Sequence, residues 1–430
     1  MQKNNKTVKS IFAILALIAL VFVVNKESIL SHDSNAYFGM WPYVSAGYPF
    51  FLRGLNFLVG DAYATAAIAL QFVAVIGSIY VFVKHFLSQF SLQTYQLIIL
   101  MCLLFYPIFD SNIYAVNNIS TEGLSFALFL QVIYFSYLSF IKRNFKSYII
   151  LMALTVLLIT IRGQFQFLIP VFISIEVLLW WKEKQLKWKH YILIFMIPLL
   201  VFSIDNVYHK VVQKQYFSTP FAWTAFVTSV FFVSDDSDVQ YLETEEQKII
   251  FKLVKQQFKK KGIGYQDHKY FEEPIDYNYF FYHYEFPTLC NQTVQQDVVN
   301  YYLKGKENNV KNAVHAYLNA ERINKQLFIK LVPHVFTKWV GLVFQNFKTG
   351  IGGMSVVLLY IISLFLLLKR FYERKENIIL FCIFLLLAIL VNRVVISLSI
   401  HGLTRYFFYT HWMVVFLLFL GINKVSENVE

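Results

Sequence analysis

The sequence is poor in charge and in glycine for its length. Only 15% of its 430 residues are charged and 16 are glycine, while 57% are hydrophobic. An average soluble domain carries about a quarter of its residues as charged side chains. Charged residues are too few here to cover an ordinary water-exposed surface. The composition therefore indicates a protein solvated mainly by lipid.

Cysteine is also scarce, with three residues in the whole chain. Cys102 and Cys382 lie inside apolar runs, and Cys290 stands alone in a hydrophilic stretch. This spacing excludes an internal disulfide framework and a cysteine-based metal site. We expect no thiol chemistry.

Nucleotide-binding and hydrolase signatures are missing as well. The chain has no phosphate-binding loop, no Gly-x-Gly-x-x-Gly turn, no Gly-x-Ser-x-Gly elbow and no His-Glu-x-x-His helix. Its net charge of +12 does not indicate a nucleic-acid partner, because the basic residues stand between apolar runs and not on one face. Nucleotide-dependent chemistry is therefore not expected.

What the chain does contain is a series of apolar runs that predicts about ten transmembrane helices. The runs cover residues 10–25, 62–83, 94–107, 121–140, 148–161, 165–181, 190–206, 351–368, 377–392 and 407–422. Several are shorter than the roughly 20 residues that span hydrocarbon, and the two beside Arg162 could instead form a re-entrant pair. The fold class we predict is an all-α polytopic membrane protein.

Lysine and arginine are concentrated in every second gap between these runs, and this sets the predicted orientation. By the positive-inside rule, both termini are cytoplasmic, and the first run is an uncleaved anchor. The segments placed outside are 26–61, 108–120, the turn at Arg162, 207–350 and 393–406. We expect a bacterial inner (plasma) membrane location with the chemistry on the extracytoplasmic side.

This topology predicts three domains. Residues 1–206 form an N-terminal transmembrane module with the first external loop, 207–350 form an extracytoplasmic and mainly helical insertion, and 351–430 form a C-terminal transmembrane module.

Helix signals recur within the predicted insertion. Thr244 is the predicted cap of one helix and Thr293 of a second, because each precedes a Gln by three residues. A third helical pattern runs over 309–346, with Pro333 as a predicted kink. The aromatic and acidic stretch 270–287 either binds a sugar or acceptor, or packs the insertion against the membrane; packing is favoured.

Asp33 is the candidate catalytic residue. It stands in the first external loop about eight residues beyond the first helix, where a carboxylate can act as a general base. An ordinary solvated acid or a helix cap is the alternative.

Asp110 and Glu122 are candidate substrate-binding acids in the second external loop. Glu122 opens an apolar helix, where the positive end of the helix dipole favours a carboxylate, so it also has a local structural explanation. Under that explanation, Thr121 or Ser120 caps the helix.

Arginines on the external side complete the set of candidates. Arg162 opposes the positive-inside trend, and an arginine at membrane depth is costly unless it meets an anion. Its fork suits phosphate oxygens, while snorkelling to lipid headgroups is the alternative. His401, Arg405 and Tyr406, before the last helix, are candidate substrate-binding residues for the same reasons.

The order of these motifs resembles the GT-C superfamily of glycosyltransferases, in particular bacterial relatives of protein mannosyltransferases and of lipid A aminoarabinose transferases. Asp33-Ser34-x-x-Tyr37 followed by Ala46-Gly47-Tyr48-Pro49 is similar to their first-loop pattern. Thr121-Glu122 resembles the pair that opens their fourth helix. Arg162 matches the arginine after the fifth, and Arg405-Tyr406 the pair before a late helix. The resemblance covers about 1–170 and 390–422.

The resemblance implies inverting transfer of a sugar from a polyprenyl-phosphate donor to a saccharide, lipid or protein acceptor at the bilayer, with Asp33 as base or metal-associated residue. Many members carry two acids in the first loop, whereas here His32 and Ser34 flank a single Asp33. A divalent metal cofactor therefore stays open.

Two other functions stay open. An O-antigen or capsule repeat-unit polymerase would also be polytopic, with a large external loop rich in arginine. A non-enzymatic transporter of lipid-linked saccharides would be expected to show internal symmetry, which the chain lacks. Glu176 and Asp205 lie near helix ends, and the sequence explains them by snorkelling.

Overall fold

The computed structural model describes residues 2–262, 289–307, 309–399 and 404–426, and all regular elements there are helical. The first nine helices are α1 (Gln2–Asn25), α2 (His32–Phe38), α3 (Gly47–Val59), α4 (Tyr63–Val81), α5 (Thr94–Phe109), α6 (Glu122–Ser136), α7 (Phe145–Ile161), α8 (Leu168–Glu183) and α9 (Trp188–Gln213). The next seven are α10 (Ala222–Val233), α11 (Glu245–Lys260), α12 (Val298–Leu303), α13 (Val310–Ile351), α14 (Met354–Arg374), α15 (Asn377–Ser399) and α16 (Phe408–Ser426). The aromatic stretch 270–287 and His401 lie outside the described residues.

Within these ranges, eight helical segments are long and apolar enough to cross a membrane. They are Lys6–Asn25, Gly47–Gln89, Glu122–Ile141, Gly163–Glu183, Trp188–Gln213, Val310–Ile351, Met354–Arg374 and Asn377–Ser399. Helices α5, α7, α10 and α16 are apolar but shorter. The chain is therefore an all-α polytopic membrane protein, as the sequence predicts. The count of about ten crossings stays a prediction.

The helix start predicted from a capping residue is confirmed at α11. Helix α11 begins after Thr244, whose hydroxyl accepts a hydrogen bond from the Gln247 amide, while the Gln247 side chain accepts from the Thr244 amide. The helix ends before Gly262, whose φ is +65°. This prediction is confirmed, and the reason is local, because all the partners lie within one turn.

The corresponding prediction at Thr293 is wrong. Thr293 is not a cap, because it is buried within a π-helical segment, Leu289–Asp297, that runs into α12. Its hydroxyl accepts a hydrogen bond from Lys261 at 2.9 Å. A partner distant in sequence has taken the hydroxyl that the cap would have used. Helix α13 extends from 310 to 351 and continues through Pro333.

The chain divides into two compact units, Met1–Ile204 with Tyr360–Asn392 and Phe407–Glu430, and Asp205–Leu359 with Arg393–Tyr406. Residues 207–350 fall within the second unit, and the predicted three-domain division stays a prediction.

Aromatic side chains fill the helix contacts of the first unit. Phe86 lies 5.7 Å from Tyr137, 5.6 Å from Phe381 and 5.7 Å from Phe416, measured between ring centroids. Phe86, Phe381 and Phe416 are fully buried. Part of the chain's aromatic content is thus used in packing between helices.

In the second unit, α10 is capped at both ends by charged side chains from elsewhere. The Glu321 carboxylate accepts a hydrogen bond from the Trp223 amide at 2.9 Å, at the start of α10. The Lys255 ammonium donates to the carbonyl oxygens of Phe231 at 3.3 Å and Ser234 at 2.6 Å, at its end. An acid at the N-terminus and a cation at the C-terminus both complement the helix dipole.

Candidate functional site

Glu122 and Arg162 form a buried ion pair in the first unit. Glu122 is the first residue of α6, and Arg162 directly follows α7. Arg162 Nη1 lies 2.8 Å from Glu122 Oε1, and the two side chains are 9% and 2% exposed. Two of the predicted substrate-binding residues, which are 40 positions apart, therefore meet in a charge-assisted contact.

Neutral polar groups complete the surroundings of this pair. The Ser120 hydroxyl donates to Glu122 Oε2 at 2.5 Å. Arg162 Nη1 also donates to the Thr121 hydroxyl at 2.7 Å, and Nε donates to Gln164 Oε1 at 2.7 Å. A buried ion pair is tolerated only when its remaining donors and acceptors are also satisfied, and this network supplies such partners.

Two local interpretations of these residues are wrong. Thr121 makes no side-chain cap on α6, because its hydroxyl accepts from Arg162. Arg162 does not snorkel to headgroups, because its guanidinium is buried against Glu122. In both cases a tertiary partner replaced the local one.

The loop between α5 and α6, the second of the two loops predicted to be external, is folded tightly against the start of α6. A Cβ at Gly123 would lie 2.3 Å from the Ala115 carbonyl oxygen, so only glycine permits this approach. Gln71 of α4 donates to the Val116 carbonyl at 2.8 Å and accepts from the Tyr48 hydroxyl at 2.9 Å. The loop that carries Asp110 and Glu122 is thus anchored on α4.

The segment that follows α1, the first loop predicted to be external, is joined to the α5–α6 loop by hydrogen bonds. The Ser34 hydroxyl donates to the Ile119 carbonyl at 2.7 Å. Ile29 donates its amide to Asn117 and accepts from the Ile119 amide, at 2.8 and 3.0 Å. Asp33, next to Ser34, lies in the first turn of α2 and is half-buried. The candidate base therefore stands on the same assembly as Glu122.

A hydrophobic cluster packs against both loops. Gly47 approaches the end of α7 so closely that a Cβ would lie 2.7 Å from an Ile161 side-chain atom. The buried members of the cluster are Tyr48, Leu52, Leu55, Ala67, Ile119 and Ile161. Because Ile161 directly precedes Arg162, packing in this cluster also positions the guanidinium.

Asp110 has a structural role and one unused oxygen. It follows α5, and its Oδ1 accepts from the Asn112 amide at 2.9 Å and side chain at 3.2 Å. The side chain is buried, and Oδ2 makes no hydrogen bond within the described part of the chain. A substrate hydroxyl is one group that could donate to this oxygen.

Arg405 and Tyr406 belong to the second unit. They lie in a 3₁₀ turn, Thr404–Tyr406, with the Arg405 guanidinium 5.4 Å from the centroid of the Tyr406 ring. Their place in the same site as Glu122 stays a prediction.

Sequence reasoning missed Ser125 and Tyr409. The two hydroxyls lie 2.7 Å apart, and the Arg162 guanidinium is 5.7 Å from the Tyr409 ring centroid, within cation–π range. The sequence could have indicated Ser125, because Ser125 follows Glu122 by three residues and therefore lies on the same face of α6. No local pattern distinguishes Tyr409 from its aromatic neighbours.

Sequence reasoning was also wrong about Glu176 and Asp205. Glu176 is buried and bonds His190 Nδ1 at 2.8 Å, and the His190 ring stacks on Tyr148. Asp205 accepts from the amide and hydroxyl of Thr219 at 2.7 and 2.9 Å. Both acids have specific partners, so snorkelling explains neither.

The resemblance leaves open a divalent metal at Asp33. Among the described residues, no three His, Cys, Asp or Glu side chains lie close enough together to hold a metal ion. The described residues therefore supply fewer than three such ligands at Asp33.

Comparison of the chain with protein-family models, with curated proteins and with solved structures gave no match.

Proposed function

We propose that this chain is a GT-C-type membrane glycosyltransferase that moves a sugar from a polyprenyl-phosphate donor to an extracytoplasmic acceptor. The observation that carries the proposal is the assembly of both external loops around the Glu122–Arg162 pair. It combines a cation suited to phosphate, buried hydroxyls and a nearby half-buried acid at one place in the first unit.

In this proposal, Arg162 exchanges part of its contact with Glu122 for the donor phosphate, and it offsets the charge that develops on the leaving group. An acceptor hydroxyl attacks the anomeric carbon while the bond from that carbon to the phosphate oxygen breaks. Asp33 takes the hydroxyl proton, and polyprenyl phosphate leaves. Attack from the face opposite the leaving group inverts the anomeric configuration.

The topology that fits this reaction has about ten crossings, cytoplasmic termini and the residue 207–350 insertion outside, in a bacterial inner membrane. The basic gaps between apolar runs support this orientation. The site then opens on the face where a flipped lipid donor and an envelope acceptor are both present.

The test is release of polyprenyl phosphate by purified protein in lipid nanodiscs. Radiolabelled undecaprenyl-phosphate sugars would be supplied as a panel, together with a cell-envelope fraction as acceptor. Asp33→Asn should reduce release at least 100-fold, because it removes the base. Asp61→Asn is the matched control, since Asp61 is an exposed acid at the end of the same predicted external segment, 26–61, and should leave release unchanged.

Arg405→Ala tests the predicted role of Arg405 in donor binding. We expect the apparent KM for the donor to rise while that for the acceptor stays the same. An unchanged donor KM would remove Arg405 from the site.

Other results would favour the alternatives. Consumption of undecaprenyl-diphosphate repeat units with chain growth would support a polymerase. Movement of an intact lipid-linked saccharide across a vesicle, without consumption, would support a transporter. Full activity of Asp33→Asn would reject the assigned base.

A further inference from the structure

Helix α13 exposes a stripe of large apolar side chains. Ile329, Phe336, Val340 and Phe344 are 52%, 55%, 42% and 47% exposed. Their spacings of seven, four and four residues place them on one face of the helix. The stripe is about 22 Å long at 1.5 Å per residue. Bulky apolar groups in such a row are not expected to face water.

Over the same stretch, another face of α13 carries ion pairs that are open to solvent. Lys338 bonds Asp235 at 2.7 Å, and the two side chains are 43% and 29% exposed. Lys330 pairs with Glu243, with exposures of 39% and 66%. Partly exposed charges of this kind would be very costly in the hydrocarbon core.

The two faces together exclude two placements of α13. A helix that crossed the bilayer here would take the exposed ion pairs into hydrocarbon. A helix immersed in water would leave the stripe uncovered. We infer that α13 lies along the membrane surface, with Ile329, Phe336, Val340 and Phe344 inserted among the lipids and the segment 235–246 on the water side.

Two adjoining features fit a surface helix. Gly352 and Gly353 end α13 with φ values of +107° and +110°, a conformation that L side chains rarely adopt. Beyond them, α14 again exposes apolar side chains, with Met354 at 48% and Leu359 at 59%. The stripe is therefore continuous along the chain with the start of a candidate membrane-crossing helix.

Basic residues stand near both ends of the stripe. Lys325 precedes it on an exposed position, and Lys348 follows it on a partly exposed one. Cations on a surface helix attract anionic lipid headgroups. The occupant that this pattern fits is a bilayer containing acidic lipid.

This inference does not depend on the proposed enzymatic function. It explains why Val310–Ile351 has the composition of a membrane-crossing helix and yet falls in a segment that the sequence places outside. If α13 does not cross, the residues on either side of it stay on the same side of the membrane.

The experiment measures the depth of nitroxide labels in vesicles of phosphatidylcholine and phosphatidylglycerol. Single cysteines would replace Phe336, Val340 and Phe344 in the full chain, with the native cysteines changed to alanine. Accessibility to oxygen and to a water-soluble nickel chelate gives depth. Lys338→Cys is the matched control on the water side.

We expect equal, shallow depths at 336, 340 and 344, and high nickel accessibility at 338. Depths that change progressively by about 12 Å from 336 to 344 would show a crossing helix and overturn the inference. High nickel accessibility at all four sites would place the stripe in water. Spin–spin broadening with low access to both reagents would show that a second copy of the chain covers it.

Discussion

Two sets of ion pairs, one in each unit, differ in their exposure to solvent. In the first, Glu122 and Arg162 are paired and nearly inaccessible. In the second, Lys330–Glu243, Lys338–Asp235 and their neighbours form a row of exposed pairs along α13. The nitrogen–oxygen distances are 2.8 Å between Arg162 and Glu122 and 2.7 Å between Lys338 and Asp235, so distance alone does not distinguish the two regions.

The difference lies in solvation. An exposed pair exchanges water for a partner and gains little, whereas removing one member of a buried pair leaves an unsatisfied charge in a low-dielectric site. The pair in the first unit therefore holds a charge that would be costly to leave alone, whereas the pairs in the second join the segment 235–243 to α13.

The largest effect is expected at the buried pair. Arg162→Met should lower the unfolding free energy by about 3–5 kcal/mol, because Glu122 is left buried without its cation. Adding Glu122→Gln should restore part of that loss, because the double variant has no unpaired charge. The unfolding free energies of both variants are measured by titrating the detergent-solubilised protein with SDS. A single-variant loss below about 1 kcal/mol would mean that the pair is solvated, and the contrast between the units would disappear.

An intermediate effect is expected at Lys255, a buried cation on backbone carbonyls. Lys255→Met should cost roughly 1–2 kcal/mol near pH 7, because two buried carbonyl oxygens lose their donor. Burial lowers the pKa of Lys255 below its ordinary 10.5, an effect that Asp236 and Asp235 partly oppose.

This pKa shift predicts the sign of a pH dependence. Between the folded and unfolded pKa values, the unfolded chain binds more protons, so the unfolding free energy should rise as pH increases towards 10.5. Lys255→Met should remove this rise from an SDS titration series. An alkaline slope that is the same in both proteins would show that Lys255 is solvated in solution.

The smallest effect is expected on the exposed row. Lys330→Ala should change the unfolding free energy by about 0–1 kcal/mol, and the change should shrink in high salt. The same titration in low and high salt measures it. A loss as large as that of Arg162→Met would show that this face of α13 is shielded from water, and would also count against a surface position for the helix.

Prediction from sequence succeeded where the partners were close along the chain. Thr244 and Gln247 are three residues apart, and the sequence predicts both the start and the end of the helix that follows Thr244. It failed at Thr293, which has the same spacing, because Lys261, directly after α11, donates to its hydroxyl. The local signal was equally good in both places, and packing decided between them.

In the candidate site too, the sequence selects individual residues, whereas the contacts between them depend on packing. Sequence patterning and the positive-inside rule select Asp33, Glu122 and Arg162 as unusual charges on one predicted side. They do not indicate that Arg162 bonds Glu122, or that Tyr409 lies beside it. Those contacts depend on which helices are neighbours, and apolar helices of similar composition carry little information about their partners.

The sequence by itself determined that this is a helical membrane protein, because hydrophobicity and the scarcity of charge depend only on composition and order. It also selected the acids and arginines that lack a cheap local explanation. Only the tertiary structure decided which of these charges are neutralised by one another, and whether a long apolar helix carries exposed charges on its other face. Desolvation is the reason, since the cost of a charge depends on what surrounds it, and the surroundings are set by residues far away along the chain.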